Sequence, residues 1–353
     1  MRRLFIILLT FSLCLSLCGC SAWMDGSYHS VTPHLPEKVD AKQDTLTIDS
    51  VEQLLGALTG QIEQGSASTV IYCRNADEAQ LDAAMTAAVQ RLSETNGIFA
   101  YAVDDILYEI GQRNAQTAIS LQVTYLHGKQ EIQKIRQVPD VQAAGVLIAR
   151  ALDTCEAGVV LRIEAYSDMD VAQLVQDYVE QNPQSCMEMP QVTAMLYPET
   201  GDDRVLELTF TYQTSRDALR NMQDMVQPVF SSAKNYVNAE ADRMEQYFQL
   251  YSFLMGRDTY TVQTSLTPAY SLLNHGVGDS KAFATVYAAM CRQSGLDCQV
   301  VSGTRDGELW YWNVMKIDNQ YFYLDLLWCG ENGGFQLRSS EQMDSYVWDY
   351  SAY

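Results

Sequence analysis

The chain has 353 residues, 47% of them hydrophobic and 19% charged, enough for two or three domains with packed cores and unlike a disordered chain. Asp and Glu number 44 against 23 Lys and Arg, a formal net charge of -21; such a surface repels phosphate backbones, which excludes nucleic acid as a partner class. With 4 histidines in all, a histidine-built metal site has no basis, and neither a metal nor a cofactor is expected.

Met1-Arg2-Arg3 is a short basic segment, and Leu4 to Leu17 is an apolar run too short to span a bilayer comfortably. The run ends in Leu17-Cys18-Gly19-Cys20. This boundary resembles the lipobox of bacterial lipoproteins, in which a small residue precedes an obligatory Cys. The resemblance implies a signal peptide over residues 1–19 and acylation at Cys20. It implies a membrane-anchored chain on the extracytoplasmic face of the bacterial cell membrane, where two or more lipid chains hold stably. An ordinary secretory signal and an uncleaved anchor are the alternatives. Residues 20–48 carry Ser, Pro, Gly, Asp and Lys without an apolar period and read as a flexible tether, with His29 and His34 in solvent. Beyond this segment lie Cys73, Cys155, Cys186, Cys291, Cys298 and Cys329. An even number permits disulfides outside the cytoplasm; the alternative is that they are small buried hydrophobes. Their spacing matches no zinc pattern.

Residues 49–136 read as a first α/β unit. Ser50-Val51-Glu52-Gln53 has the form of a capping box and starts a helix to Glu63. Thr69 to Cys73 is a strand, and Asp77-Glu78-Ala79-Gln80 opens a second helix with Leu81, Ala84, Ala88 and Leu92 on one face. Asn96-Gly97 is a turn signal, with strands expected over Ile98–Val103 and Ala118–Tyr125. Residues 137–214 repeat the order: a helix from Asp140, a strand over Val159–Ile163, a helix from Asp170, and strands over Val192–Tyr197 and Val205–Tyr212. Val51 aligns with Val141, Val70 with Val160, and Val123-Thr124-Tyr125 with Phe210-Thr211-Tyr212. The pattern is α-β-α-β-β twice, with coincidental order of common elements as the alternative. Neither unit holds a nucleophile constellation or a Gly-rich phosphate loop. The pairs Asp104-Asp105 and Asp202-Asp203 read as solvated rather than as calcium ligands.

Residues 215–353 form the last expected domain. Ala239–Met255 reads as a helix with Met244, Phe248, Tyr251 and Leu254 on one stripe. Ala269-Tyr270-Ser271-Leu272-Leu273 follows, and then His275-Gly276-Val277-Gly278-Asp279-Ser280 opens a helix to Gln293. Cys298–Gly303, Trp310–Val314 and Tyr321–Asp325 are strands, the last two joined by the hairpin Ile317-Asp318-Asn319-Gln320.

This layout resembles the transglutaminase-like superfamily of papain-related Cys enzymes. The family shows an aromatic-leucine helix, a Gly-Val-Cys-x-Gly-Tyr-Ala turn opening a buried helix, a Gly-Ile strand ending in Gly, a His-Ala-Trp-Asn strand and an Asp-x-Thr-Trp strand. The resemblance covers about residues 235–330, and Ser280 to Gly295 keeps the family's spacing from nucleophile to Gly-Ile element. It implies a cysteine-proteinase-like domain within an α+β chain. It also implies a triad, which falls on Ser280 for the Cys, Trp310 for the His and Asp325 for the Asp. The family's thiolate attacks an amide carbonyl while His shuttles the proton and Asp orients His. A Ser hydroxyl needs a base, and an indole N–H donates only. His275, in the loop before the helix, is not placed to replace the missing imidazole.

The expectation is a transglutaminase-like pseudoenzyme. Asp279 or Ser280 caps the helix, and Asp325 accepts from Trp310 or Ser280. Asp279, Tyr311, Trp312 and Trp328 belong to a binding groove, with core packing as the alternative for the aromatics. The expected role is binding or scaffolding of peptide or cell-wall material at the envelope. The alternatives are an active amide-processing enzyme at the cell surface, acting through Ser280 or another residue, and a purely structural envelope protein.

Overall fold

The computed structural model describes residues 47–48, 50–74, 77–257 and 259–349. Cys20, the expected signal peptide, His29 and His34 lie outside the described residues. The first part comprises β1 (Thr47–Ile48), α1 (Val51–Glu63), β2 (Ser68–Cys73), α2 (Glu78–Thr95), α3 (Gly97–Ala102), β3 (Val103–Arg113) and β4 (Gln116–Tyr125). Its sheet has the order β1-β2-β4-β3. β1 runs parallel to β2, and the other pairs are antiparallel. Ser50 accepts from the Gln53 N–H at 3.2 Å and so starts α1. Leu54, Leu58 and Ile62, spaced to share one helix face, pack into a core with Ile71, Ile119 and Leu121 of the sheet.

After α4 (Lys129–Ile132) come β5 (Arg136–Asp140), α5 (Val141–Asp153), β6 (Gly158–Ala165), α6 (Val171–Gln181), β7 (Gln191–Tyr197) and β8 (Arg204–Thr211). The second sheet has the order β5-β6-β8-β7, with β5 parallel to β6 and the remaining pairs antiparallel. Asp140 and Asp170 cap α5 and α6 by accepting from Ala143 and Gln173. Each sheet therefore begins with a strand, β1 or β5, that periodicity alone does not reveal.

The C-terminal part holds α7 (Arg216–Tyr236), α8 (Arg243–Met255), α9 (Pro268–His275), α10 (Ser280–Gln293), β9 (Gln299–Arg305), β10 (Glu308–Ile317), β11 (Gln320–Leu324), α11 (Leu326–Glu331) and β12 (Tyr346–Val347). The sheet order is β11-β10-β9-β12, antiparallel throughout. α10 is the central helix: Ala282 to Cys291 are buried without interruption, the mark of a helix enclosed on all sides.

Four expectations change. Residues 98–102 form helix α3 rather than a strand, because the Asn96 side chain accepts from the Phe99 N–H at 2.8 Å and Ile98, Phe99, Tyr101 and Ala102 are all buried. A short apolar run does not distinguish the two states by itself. Helix α7 occupies a stretch where no element was expected, since Gln223 and Pro228 interrupt its apolar face. Gln223 is buried, and its amide donates to the carbonyls of Asp153 and Ser185, fastening α7 to the second sheet's layer. On α8 the buried stripe is Tyr247, Leu250, Tyr251 and Leu254, while Met244 and Phe248 are exposed. Asp203 is not solvated: it takes a two-point contact from Arg162 at 2.8 and 2.9 Å, and Arg162 also reaches Glu63 at 3.1 Å. That guanidinium joins the first part to the second. The six described cysteines are buried and free, in keeping with small hydrophobes rather than disulfides.

Gly97 lets α3 lie against β8. A Cβ there would sit 2.7 Å from both the Arg204 carbonyl carbon and the Val205 nitrogen. Both are main-chain atoms that cannot swing aside. Gly97→Ala is therefore expected to lower unfolding free energy by about 1–3 kcal/mol, read from a denaturant midpoint. An unchanged midpoint would show that the contact between α3 and β8 has slack.

Candidate functional site

The three positions expected to correspond to a triad, Ser280, Trp310 and Asp325, lie on α10, on β10 and where β11 gives way to α11. β11 ends at Leu324, paired with Asn313, so Trp310 and Tyr311 of β10 extend past the end of that ladder. On one side of β10 the Tyr311 N–H donates to the Ser280 hydroxyl at 3.3 Å. Beyond it, the Trp310 indole N–H donates to Asp325 Oδ2 at 2.8 Å. Ser280 and Asp325 thus accept from adjacent residues of one strand segment, Tyr311 and Trp310.

Asp325 is 1% exposed. Its Oδ1 accepts from the Trp328 N–H at 3.0 Å and so caps α11. Its Oδ2 accepts from Trp310, from the Tyr346 hydroxyl at 2.7 Å and from Arg305 at 3.4 Å. The Arg305 guanidinium lies 5.1 Å from the Trp310 ring centroid. Arg338 covers the Trp328 ring at 4.5 Å and the Tyr346 ring at 5.2 Å. Arg305, Arg338 and Tyr346 were not anticipated from sequence. Tyr346 arrives on the last strand, β12, which pairs with β9 at Arg305 and Thr304. The close approach needs Gly303, where a Cβ would meet the Val347 carbonyl oxygen at 2.3 Å. That glycine within a strand was the available signal.

Ser280 is 7% exposed and is the first residue of α10. The cap is Asp279, whose Oδ1 accepts from the Ala282 N–H at 2.9 Å and whose Oδ2 accepts from the Thr264 hydroxyl at 2.9 Å. Lys281 lies 5.3 Å from the Tyr311 ring centroid and pairs with Glu180 at 2.7 Å, holding α10 against α6. No histidine among the described residues is hydrogen-bonded to Ser280: His275 packs edge-on against Tyr270 on α9, and His127 stacks on Tyr101 in the first part.

Trp312 does not line a groove. It is fully enclosed with Val301, Val314, Tyr323, Met343, Tyr346 and Trp348, and its indole N–H has no partner among the described residues. Alternation along β10 puts Trp310 and Trp312 on one face, and the C-terminal segment covers that face. Trp310 itself is half-buried, packed against the cores on both sides of the sheet. Tyr311 and Trp328 are also half-buried, each with a cation over its ring.

Three of the buried cysteines are held away from the thiolate. Burial pushes the Cys291 thiol well above its ordinary value, Cys186 to about 12 and Cys329 to about 11. Reactive thiols are shifted the other way. Among the described residues no group of three His, Cys, Asp or Glu side chains is placed to hold a metal.

Residues 231–348 match the family model of the transglutaminase-like superfamily, so the C-terminal domain is transglutaminase-like and the chain is α+β. The chain is similar to a crystal structure described as that of a TGase, at 11% identity over 52% of this chain and 54% of that one, with a TM-score of 0.26. It is also similar to a candidate protease from Parabacteroides distasonis, at 7% identity over 63% and 36%, with a TM-score of 0.24. The chain thus spans about half of the first and about a third of the second, and similarity this low transfers nothing from either. No curated protein sequence matches the chain.

The buried hydroxyls and thiols set an alkaline limit. Burial, and then the charge of Asp325, hold the Tyr346 phenol well above its ordinary value. Burial likewise raises Tyr251 to about 12 from 10.0 and Cys329 to about 11 from 9.0. The folded state keeps these protons where the unfolded chain would release them, so their contribution is complete below the unfolded values. It is lost as pH rises through about 9 to 12. The melting temperature is expected to be level from about pH 7 to 8.5 and to fall steadily above about pH 9. A level melting temperature to pH 11 would contradict this.

Proposed function

We propose that the C-terminal domain is a transglutaminase-like fold without acyl-transfer chemistry, acting as a binding or scaffolding unit for peptide or cell-wall material. One observation carries the reading: the donor facing Asp325 at the histidine position is the Trp310 indole N–H, at 2.8 Å. An imidazole held there would carry a proton from nucleophile to leaving group. An indole nitrogen has no lone pair available for that task. The Ser280 hydroxyl receives the Tyr311 N–H and faces no proton acceptor among the described hydrogen bonds. A hydroxyl without a base is a poor nucleophile at neutral pH.

An active amide-processing enzyme would require a base at Ser280 or a depressed thiol elsewhere, and no observation favours either. Trp310 acts in this reading as a plug rather than as a ligand platform, since Asp325, Arg305 and two cores hold it. The two sheets are read as copies of one β-α-β-α-β-β module, supported by their shared order and strand sense. They carry the domain outward from a lipid anchor at Cys20.

The full chain and its Ser280→Ala variant are expected to give equal signals, at buffer level, in amine incorporation into glutamine peptides and in peptide amide hydrolysis. Loss of a nucleophile or base in comparable triads costs on the order of 10⁶ in turnover, so retained chemistry would be visible. Wild-type turnover that disappears in Ser280→Ala would overturn the reading. For the anchor, a fatty-acid analogue fed to expressing bacteria is expected to label the wild type and not Cys20→Ala. Label retained on the variant would reject acylation at Cys20.

A further inference from the structure

We propose that the groove between the sheet edges β3 and β7 binds an extended peptide segment carrying lysine or arginine, which adds as a strand to β7. β3 is the last strand of the first sheet and β7 the last of the second. Among the described residues each pairs on one side only, β3 with β4 and β7 with β8. Both strands line one groove of about 810 Å³, floored by Phe99 of α3 and walled by Met195 and Leu196. An unpaired edge presents a row of N–H and C=O groups, which is what an incoming strand uses.

The two edges have different parts to play. β7 keeps an unbroken register on β8 from Gln191 to Tyr197, so its free edge is a regular template. β3 has a register shift between Val103 and Asp105, and a bulge re-aims side chains while spoiling pairing. Asp104 and Asp105 lie at that shift, both exposed, and Glu199 follows the far end of β7. Among the described residues no Lys, Arg or His lines the groove. Three carboxylates without a cation specify a basic occupant. A second copy of this chain, with a formal charge of -21, would be repelled at the same place. Alternation along an added strand turns every second side chain toward the apolar wall and leaves the others for the acidic rim. The groove's lining residues, from 89–106 and 194–199, include none of the residues around Ser280 and Asp325, so this inference does not rest on the reading of that site.

The test uses the full chain and three labelled octapeptides: alternating Val and Lys, alternating Val and Glu, and the Val-Lys peptide N-methylated at alternate amides. Binding is read by fluorescence anisotropy. The Val-Lys peptide is expected to bind at least about tenfold more tightly than the Val-Glu peptide. N-methylation is expected to weaken it by about tenfold, because strand addition depends on main-chain hydrogen bonds. Combining Asp104→Asn with Asp105→Asn is expected to weaken Val-Lys binding about tenfold, while Glu240→Gln combined with Glu341→Gln, which removes two exposed charges elsewhere, leaves it unchanged. Equal binding of the methylated and unmethylated peptides would reduce the association to net charge and overturn the proposal. So would full affinity in the Asp104, Asp105 variant, or no binding of the Val-Lys peptide.

Discussion

A carboxylate removed from water must be met by donors or it destabilises the fold by several kcal/mol, and Asp325 is met from four directions. Trp310 comes from β10, Arg305 from β9, Tyr346 from β12, and the Trp328 N–H from α11. Each donor lies on a different element, so one side chain fixes the relative placement of three strands and a helix. With those donors in place, the C-terminal segment lies close over Gly303 and buries Trp312. Trp310, Trp312 and Tyr323 of β10 and β11 take part in this closure. Asp325 thus serves as the junction of the sheet.

The start of α10 has been put to structural use in a similar way. A helix N-terminus offers free N–H groups and a partial positive charge. Asp279 accepts one of these, from Ala282, and the Ala282 to Cys291 stretch locks the helix inside the domain. Ser280 is then one residue past the cap, with its oxygen turned to the Tyr311 N–H. Lys281 and Arg292 tie the same helix to α6 through Glu180 and the Gln181 carbonyl. The helix that carries Ser280 is thereby fastened to the preceding sheet layer as well as to its own domain.

Much of this was legible in the sequence where the signal is local. The hairpin from Glu308 to Leu324 has Asp318 and Asn319 at positive φ, and Asp-Asn between aromatic runs is a recognisable turn. Helix α10 announces itself through Asp279 and a run from Ala282 to Cys291 in which Thr285 is the one polar residue. What escaped depends on distant pairing. Nothing local marks Arg305 or Tyr346 as partners of Asp325, since they lie 20 and 21 residues away on separate strands. Trp312 looks like Trp310 until β12 covers it. β1 and β5 are short parallel edge strands that exist only because β2 and β6 are there to pair with. Helix α7 was obscured because its buried face includes Gln223, a polar residue whose burial makes sense only beside the carbonyls of Asp153 and Ser185.

The proposed reading rests on Trp310 and Asp325 forming a structural pair. A double-mutant cycle tests it most directly: unfolding free energies of the full chain, Trp310→Phe, Asp325→Ala and the two combined. Phenylalanine keeps an aromatic ring but removes the indole N–H. The cycle is predicted to give a coupling of about 1.5–3 kcal/mol, the size expected for a buried hydrogen bond to a charged group. Additive losses, with coupling below about 0.5 kcal/mol, would show that the indole and the carboxylate act independently and would contradict the account.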